Sequence, residues 1–290
     1  MKSYIEFKQQ RELGAILTDT FAFFRNEFKP LFKAIFQIAG PYIALFLVSQ
    51  VFYVYTIGDS FNFELGSGFP DTNPLVFVSV YLIYLVCAIL AYTTTTSAAL
   101  HYIKSYIKNK GETNILEIKQ NVKQTFWSFL GLSFLKGLTI IIAALVCCLP
   151  VFYFFVPMAV VLPILVFREM TAGDAYGYGF TLIKDEFWIT LATLIVFYII
   201  ILVAASIFSV PTAIYSLIKS GVFSGAIDPA NMNQMKDPVM ILLNVLSSLF
   251  QYALNLLVTI GTSFVYFNLN ERKNFTGTME RIKAIGNTDQ

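Results

Sequence analysis

Charge is what this sequence has least of. Lys, Arg, Asp and Glu together make up 13% of its 290 residues, about half the roughly 25% usual in soluble domains. So thin a polar coat does not wrap one aqueous core of this length. Histidine occurs once, at His101, and no acidic residue lies deep in any long apolar run. Metal-ligand clusters and intramembrane acid–base pairs are therefore not expected. The three cysteines, Cys87, Cys147 and Cys148, all sit in apolar runs without C-x-x-C spacing. They read as small apolar packing residues and not as a disulfide framework. No P-loop, G-x-S-x-G or H-E-x-x-H motif occurs, and Gly173, Gly177 and Gly179 follow no strand that would make them a phosphate fingerprint. The first thirty residues mix charges with no compact apolar h-region, so no cleavable signal is expected. A net charge of +2 gives no ground for a nucleic-acid partner.

What is present is apolar surface. Hydrophobic residues reach 57%, with 29 Phe and 16 Tyr, and mean hydropathy is +0.67. Lipid is the solvent that tolerates such a surface. A hydrocarbon core of ~30 Å needs about 20 helical residues, and six stretches supply them. They are Leu31–Tyr55, Leu75–Tyr102, Leu130–Leu149, Val151–Phe167, Phe187–Val210 and Val239–Leu269. Backbone groups without water partners make these helices. Only Pro150 separates the third from the fourth, which predicts a tight hairpin.

Lys and Arg placement sets the orientation. With the N-terminus cytoplasmic, that side collects Lys2, Lys8, Arg11, Arg25, Lys29 and Lys33, then Lys104, Lys108, Lys110, Lys119, Lys123 and Lys136. It also collects Arg168, Lys184, Arg272, Lys273, Arg281 and Lys283, which makes 18 of the 20 basic residues. Only Lys219 and Lys236 fall opposite. Six spans with both termini cytoplasmic is the parity that fits. Gly58–Asn73 and Ser220–Asp237 are turn-rich, without periodicity, and read as outer loops.

The approach to the first span, FFRNEFKPLFKAIFQIAGPYIAL, alternates Phe with charge and then loses charge altogether. Leu13, Ile16, Leu17, Thr20, Phe21, Phe24 and Phe28 share a helical face, so an interfacial amphipathic helix precedes the span. Ile115, Ile118, Val122, Phe126 and Phe129 make a second, opened by a capping-box spacing from Asn114 to Glu117. A third runs from Thr171 to Glu186, weakened by three glycines. The expected architecture is an all-α integral membrane domain over 1–290. It has three units of amphipathic helix plus transmembrane hairpin, at 11–109, 111–168 and 170–273, and a cytoplasmic tail at 274–290. Phe and Trp rings suit the headgroup layer, from which Lys and Arg reach water.

Two segments carry a family resemblance: ELGAILTDTFAFFRNEFKPLFKAI near the start and VYFNLNERKNFTGTMERIKAIG near the end. They resemble bacterial multi-pass proteins with the membrane domain of glycerophosphoryl diester phosphodiesterases. In that family the membrane part can precede a soluble catalytic barrel. About twenty residues follow the last span here, too few for a barrel, so the resemblance implies no phosphodiesterase activity. Members without the barrel have no known function.

The last span carries a polar stripe. Asn244, Ser248, Gln251, Asn255, Thr259 and Thr262 follow one another at steps of three or four and share one face. Tyr81, Tyr84, Ala88, Ala91, Thr95, Ala99 and Tyr102 make a facing candidate on the second span. Two readings stay open: a seam of interhelical hydrogen bonds, or the wall of a polar cavity that includes Thr95. Thr93–Thr96 can equally bond preceding carbonyls and bend the helix. His101 reads as structural at the interface, and Lys136 snorkels to the headgroups. Pro157 and Pro163 kink the fourth span, and Pro41 sits near the start of the first.

The expectation is a non-enzymatic scaffold or assembly partner in a bacterial cytoplasmic (inner) membrane. It needs no cofactor and binds a membrane-protein partner or a second copy of itself. A transporter or lipid-handling protein with a cavity between spans two and six is the alternative. Anionic lipid should gather at the basic cytoplasmic face, each suitably placed cation contributing about 1 kcal/mol.

Overall fold

The computed structural model describes residues 4–57, 73–146, 148–219 and 237–286. Among them are eight helices and no strand. These are α1 (Leu13–Ile57), α2 (Pro74–Lys108), α3 (Ile115–Val146), α4 (Cys148–Arg168), α5 (Ala172–Ile183), α6 (Phe187–Lys219), α7 (Pro238–Asn274) and α8 (Thr276–Gly286). Six of them, α1 to α4, α6 and α7, are long and apolar enough to cross a membrane. The chain is an all-α integral membrane protein. Cys147 and nearly all of the two expected outer loops lie outside the described residues.

The first two expected lead-ins are continuous with their spans. At 45 residues α1 is about 67 Å long, more than twice a ~30 Å hydrocarbon core, so part of it must project beyond lipid tails. Pro30 and Pro41 both lie inside it without a break; neighbouring helices make such prolines tolerable in membrane helices. The third lead-in stays separate as α5. Residues 184–186 form a turn, where Lys184, Asp185 and Glu186 interrupt the apolar pattern, and Thr190 N then bonds Glu186 O at 3.0 Å to start α6. Within the expected tail, Thr276–Gly286 form α8.

Local caps follow the sequence with two amendments. Asn114 Oδ1 accepts from the backbone N–H of Leu116 at 3.0 Å and Glu117 at 3.3 Å, which caps α3 as expected. Glu117 does not reach back to complete the box. Its carboxylate takes Lys108 Nζ at 2.7 Å, and Asn114 N–H donates to Ser105 Oγ at 3.2 Å instead. The α2–α3 turn uses positive φ at Lys110 and Gly111 and closes with Gly111 N–H on Tyr106 O at 2.9 Å, a glycine-terminated helix end. Pro150 does not separate α3 from α4. It lies in the first turn of α4, where a backbone N–H would lack an intrahelical partner anyway.

The chain forms two compact units, and every boundary between them falls inside a helix. Unit 1 comprises 1–38, 93–199 and 255–290; unit 2 comprises 39–92 and 200–254. Unit 1 holds eighteen of the twenty Lys and Arg residues. Its core is made of helix segments buried on every side: 93–103 of α2, 156–166 of α4 and 259–271 of α7. Helices buried all round are interior helices. Gly179 lets α5 lie against α4, since a Cβ there would stand 2.9 Å from Val161 Cγ1.

Unit 2 is more thinly filled. Phe46, Cys87 and Ala91 are buried together, with Tyr84 and Tyr252 packed around them. Phe208 stacks on Phe250 with centroids 3.8 Å apart, and Tyr215 donates to Asp237 Oδ2 at 2.9 Å. Leu75, Leu202 and Ile207 point outward, as do Phe36, Leu145 and Trp188 of unit 1. In water each such side chain forfeits about 1.5–3 kcal/mol relative to burial; against lipid tails it does not.

Candidate functional site

The polar stripe of α7 is divided between the units. In unit 2, Asn244 Nδ2 donates to Met240 O at 3.0 Å and Ser248 Oγ to Asn244 O at 2.9 Å. Ser248 Oγ also accepts from Gln50 Nε2 of α1 at 2.9 Å. Gln251 is exposed. In unit 1, Asn255 Nδ2 donates to Thr96 Oγ1 of α2 at 3.2 Å. Thr259 and Thr262 turn their hydroxyls onto the carbonyls of Asn255 and Val258. Thr95 is buried one residue away from the contact, and its hydroxyl has no hydrogen-bond partner among the described residues; the same holds for Thr93 and Ser97. His101 Nε2 meets Thr125 Oγ1 of α3 at 2.9 Å, a helix-to-helix contact.

A second constellation lies at the basic end of unit 1. Residues 4–12 precede α1 without helical structure and form a strap packed into the core. Phe7 is fully buried, stacked on Phe264 and edge-on to Phe23 and Tyr106. Tyr4 stacks on Tyr106, and burial pushes its hydroxyl up to about 12. Arg11, its side chain 1% exposed, ion-pairs with Asp19 at 2.8 Å. It also donates to the carbonyls of Glu6, Phe7 and Gln9 and lies over the Phe264 ring. Burial lowers its pKa, and the hydrogen bond and charge of Asp19 oppose that shift. A buried guanidinium tied to a carboxylate and three carbonyls is satisfied and fixed in place.

Helix α8 clasps the strap. Lys8 Nζ contacts both carboxylate oxygens of Glu280, at 2.5 and 2.7 Å, and Arg281 donates to Lys8 O at 3.1 Å. The start of α8 is held by Glu271, 1% exposed. It accepts from the backbone N–H groups of Gly277 at 2.7 Å and Thr278 at 2.8 Å. A carboxylate on the first N–H groups of a helix is the favoured arrangement there.

Between strap, α8 and the ends of three long helices lies a cavity of about 450 Å³. Its floor is aromatic: Phe167 of α4 packs on Tyr266 and Phe267 of α7, with centroids 5.5 and 4.7 Å away. Its rim carries Lys104 and Lys108 of α2, Arg168 of α4 and Lys8 of the strap, with one carboxylate, Glu280 of α8, which is paired to Lys8. Lys104 pairs with Glu169 at 2.6 Å and Lys108 with Glu117 at 2.7 Å. The Lys104 hydrogen bond and charge hold the Glu169 carboxyl below its ordinary range. Arg168 sits over the Tyr178 ring at 4.3 Å. No residue of the α7 stripe lines this cavity.

The basic residues were visible in the sequence as one side of a charge count. The convergence of Lys104 and Lys108 with Lys8 and Arg168 arises from segments far apart in the chain. The strap gave no signal either, since SYIEFKQQRE shows neither helical nor strand periodicity. Comparison with family models, curated proteins and solved structures yields no match. The likeness to the phosphodiesterase membrane domain therefore rests on the two quoted segments alone.

Proposed function

We propose that this protein is a non-enzymatic scaffold or assembly partner of a bacterial cytoplasmic membrane, with its basic end in the cytoplasm. The observation that carries the reading is the state of the polar stripe. Asn255 bonds Thr96, Ser248 bonds Gln50, and Thr259 and Thr262 bond their own helix. Polar groups paired between helices, as Asn255 and Ser248 are, join helices to one another. Unit 2 still turns broad apolar faces outward, and these are the surfaces on which another membrane helix would pack. The gathering of cations in unit 1 supports the orientation through the bias of Lys and Arg toward the cytoplasm.

Affinity capture after gentle detergent extraction tests this reading. Co-recovery of a defined membrane partner, or of a differently tagged second copy, is expected. Recovery of the chain alone under several mild detergents contradicts it.

A lipid-handling role is the second reading, favoured by the basic, aromatic-floored cavity. If instead the α7 stripe walls a path for the ligand, Asn255→Leu and Gln251→Leu abolish the cellular phenotype while expression is intact. An unchanged phenotype removes that path.

A further inference from the structure

We propose that the cavity where the ends of α2, α4 and α7 meet binds the phosphate group of an anionic amphiphile. The inference rests on the same cavity as the lipid-handling reading and deepens it, although a scaffold can carry such a site too.

Position comes first. Phe167 closes the apolar run of α4, and Arg168 is the first charge after it. On α2, Lys104 and Lys108 likewise follow an uncharged run that begins at Pro74. The cavity thus lies at the level where apolar helix surface gives way to charge. In a membrane that is the headgroup layer, where Lys and Arg meet lipid phosphates.

Chemistry comes second. Arg168 faces a ring and, among the described residues, has no carboxylate within ion-pair distance. A guanidinium so placed offers its planar donors to a phosphate, which it binds in bidentate fashion. Lys104 has a carboxylate partner, but Glu169 is 76% exposed. Solvent-exposed pairs of this kind contribute little and exchange readily. An incoming phosphate can therefore take Lys104 while Glu169 returns to water. Lys108, one helical turn further, stands 66% exposed beside Glu117 and adds a third cation.

The floor then selects among phosphates. Phe167, Tyr266 and Phe267 give the cavity an apolar side that a bare phosphate ion leaves unused. A glycerol backbone or the start of an acyl chain covers it. The volume, about 450 Å³, lies within the roughly 300–1,000 Å³ typical of small-molecule sites.

Native mass spectrometry on the full-length protein in micelles tests the proposal, with phosphatidylglycerol, phosphatidylcholine and glycerol 3-phosphate as probes. The wild type is expected to retain phosphatidylglycerol at about tenfold lower concentration than phosphatidylcholine, and Arg168→Gln with Lys104→Gln to lose that preference. Lys119→Gln with Lys123→Gln removes the same charge from an exposed face of α3 and is expected to keep it within about twofold. Competition by millimolar glycerol 3-phosphate assigns the site to a soluble phosphorylated ligand; failure to compete assigns it to lipid. Equal loss in both double variants, or loss in neither, overturns the site. Should the Arg168 and Lys104 variant not fold, a photoactivatable phosphatidylglycerol on wild-type protein decides. Labelling of 104–108 or 167–168 supports the site, and labelling only elsewhere overturns it.

Discussion

The ring of Phe7 lies flat on the ring of Phe264, with centroids 4.2 Å apart and planes 5° from parallel. One belongs to a polar-looking N-terminal stretch and the other to the buried run of α7. Their contact makes the strap part of the core of unit 1. Residues 4–12 are consequently held by packing and by Arg11, whose backbone N–H donates to Asn268 Oδ1 at 2.8 Å.

Phe7→Ala removes a fully buried aromatic side chain, which typically costs about 3–5 kcal/mol. We expect a clear fall in the thermal midpoint of the detergent-solubilised protein and new protease cleavage within residues 4–12. Lys8→Ala, which loses only a surface ion pair with Glu280, should shift the midpoint far less, because such pairs are worth about 0–1 kcal/mol.

Glu271→Gln weakens the capping of α8 without changing side-chain size. Hydrogen bonds to charged groups are worth about 1.5–3 kcal/mol, and the amide keeps only one of the two accepting oxygens. Hydrogen exchange across 276–286 is expected to accelerate while exchange in α4 stays unchanged. Uniform acceleration in both would show that Glu271 acts on the whole unit and not on α8.

Gly277→Ala places a methyl group against the backbone carbonyl and Cβ of Lys8. Backbone cannot yield as a flexible side chain does, and overpacking of this kind costs about 1–3 kcal/mol. The expected readout is release of the strap, seen as proteolysis near Lys8. Gly173→Ala, where an added Cβ meets nothing within 4 Å, is the matched control and should be silent.

The sequence exposed long-period features and hid tertiary ones. Six spans were legible because apolar length alone defines a membrane helix, and the α3 cap because Asn114 announces it locally. Continuity of α1 through Pro30 and Pro41 was not legible, since a proline's effect depends on what neighbouring helices supply. Nor was the burial of Phe7. Its neighbours Glu6 and Lys8 are ordinary surface residues, and its partner ring is more than 250 residues away. The three- and four-residue steps of the polar residues on α7 were legible, but which side chain of α2 bonds Asn255, namely Thr96, was not. A one-residue step turns a helical side chain by about 100°, which is finer than pattern reading resolves.

The Asn255–Thr96 bond permits a direct energetic measurement. A double-mutant cycle with Asn255→Leu and Thr96→Val, read in unfolding free energy, is expected to give a coupling near 0.6 kcal/mol and below about 1.7 kcal/mol. Zero coupling would mean the two side chains are bonded to something else, as a water-lined wall requires.

The central claim is that lipid surrounds six helices and that the cations mark the cytoplasmic side. Single cysteines placed near both ends of the chain and in 58–72 and 220–236, probed in intact cells with a membrane-impermeant maleimide, test it most directly. The account predicts labelling at 58–72 and 220–236 and protection of both chain ends until the membrane is opened. Labelling of one end but not the other, or of neither connecting segment, would contradict it.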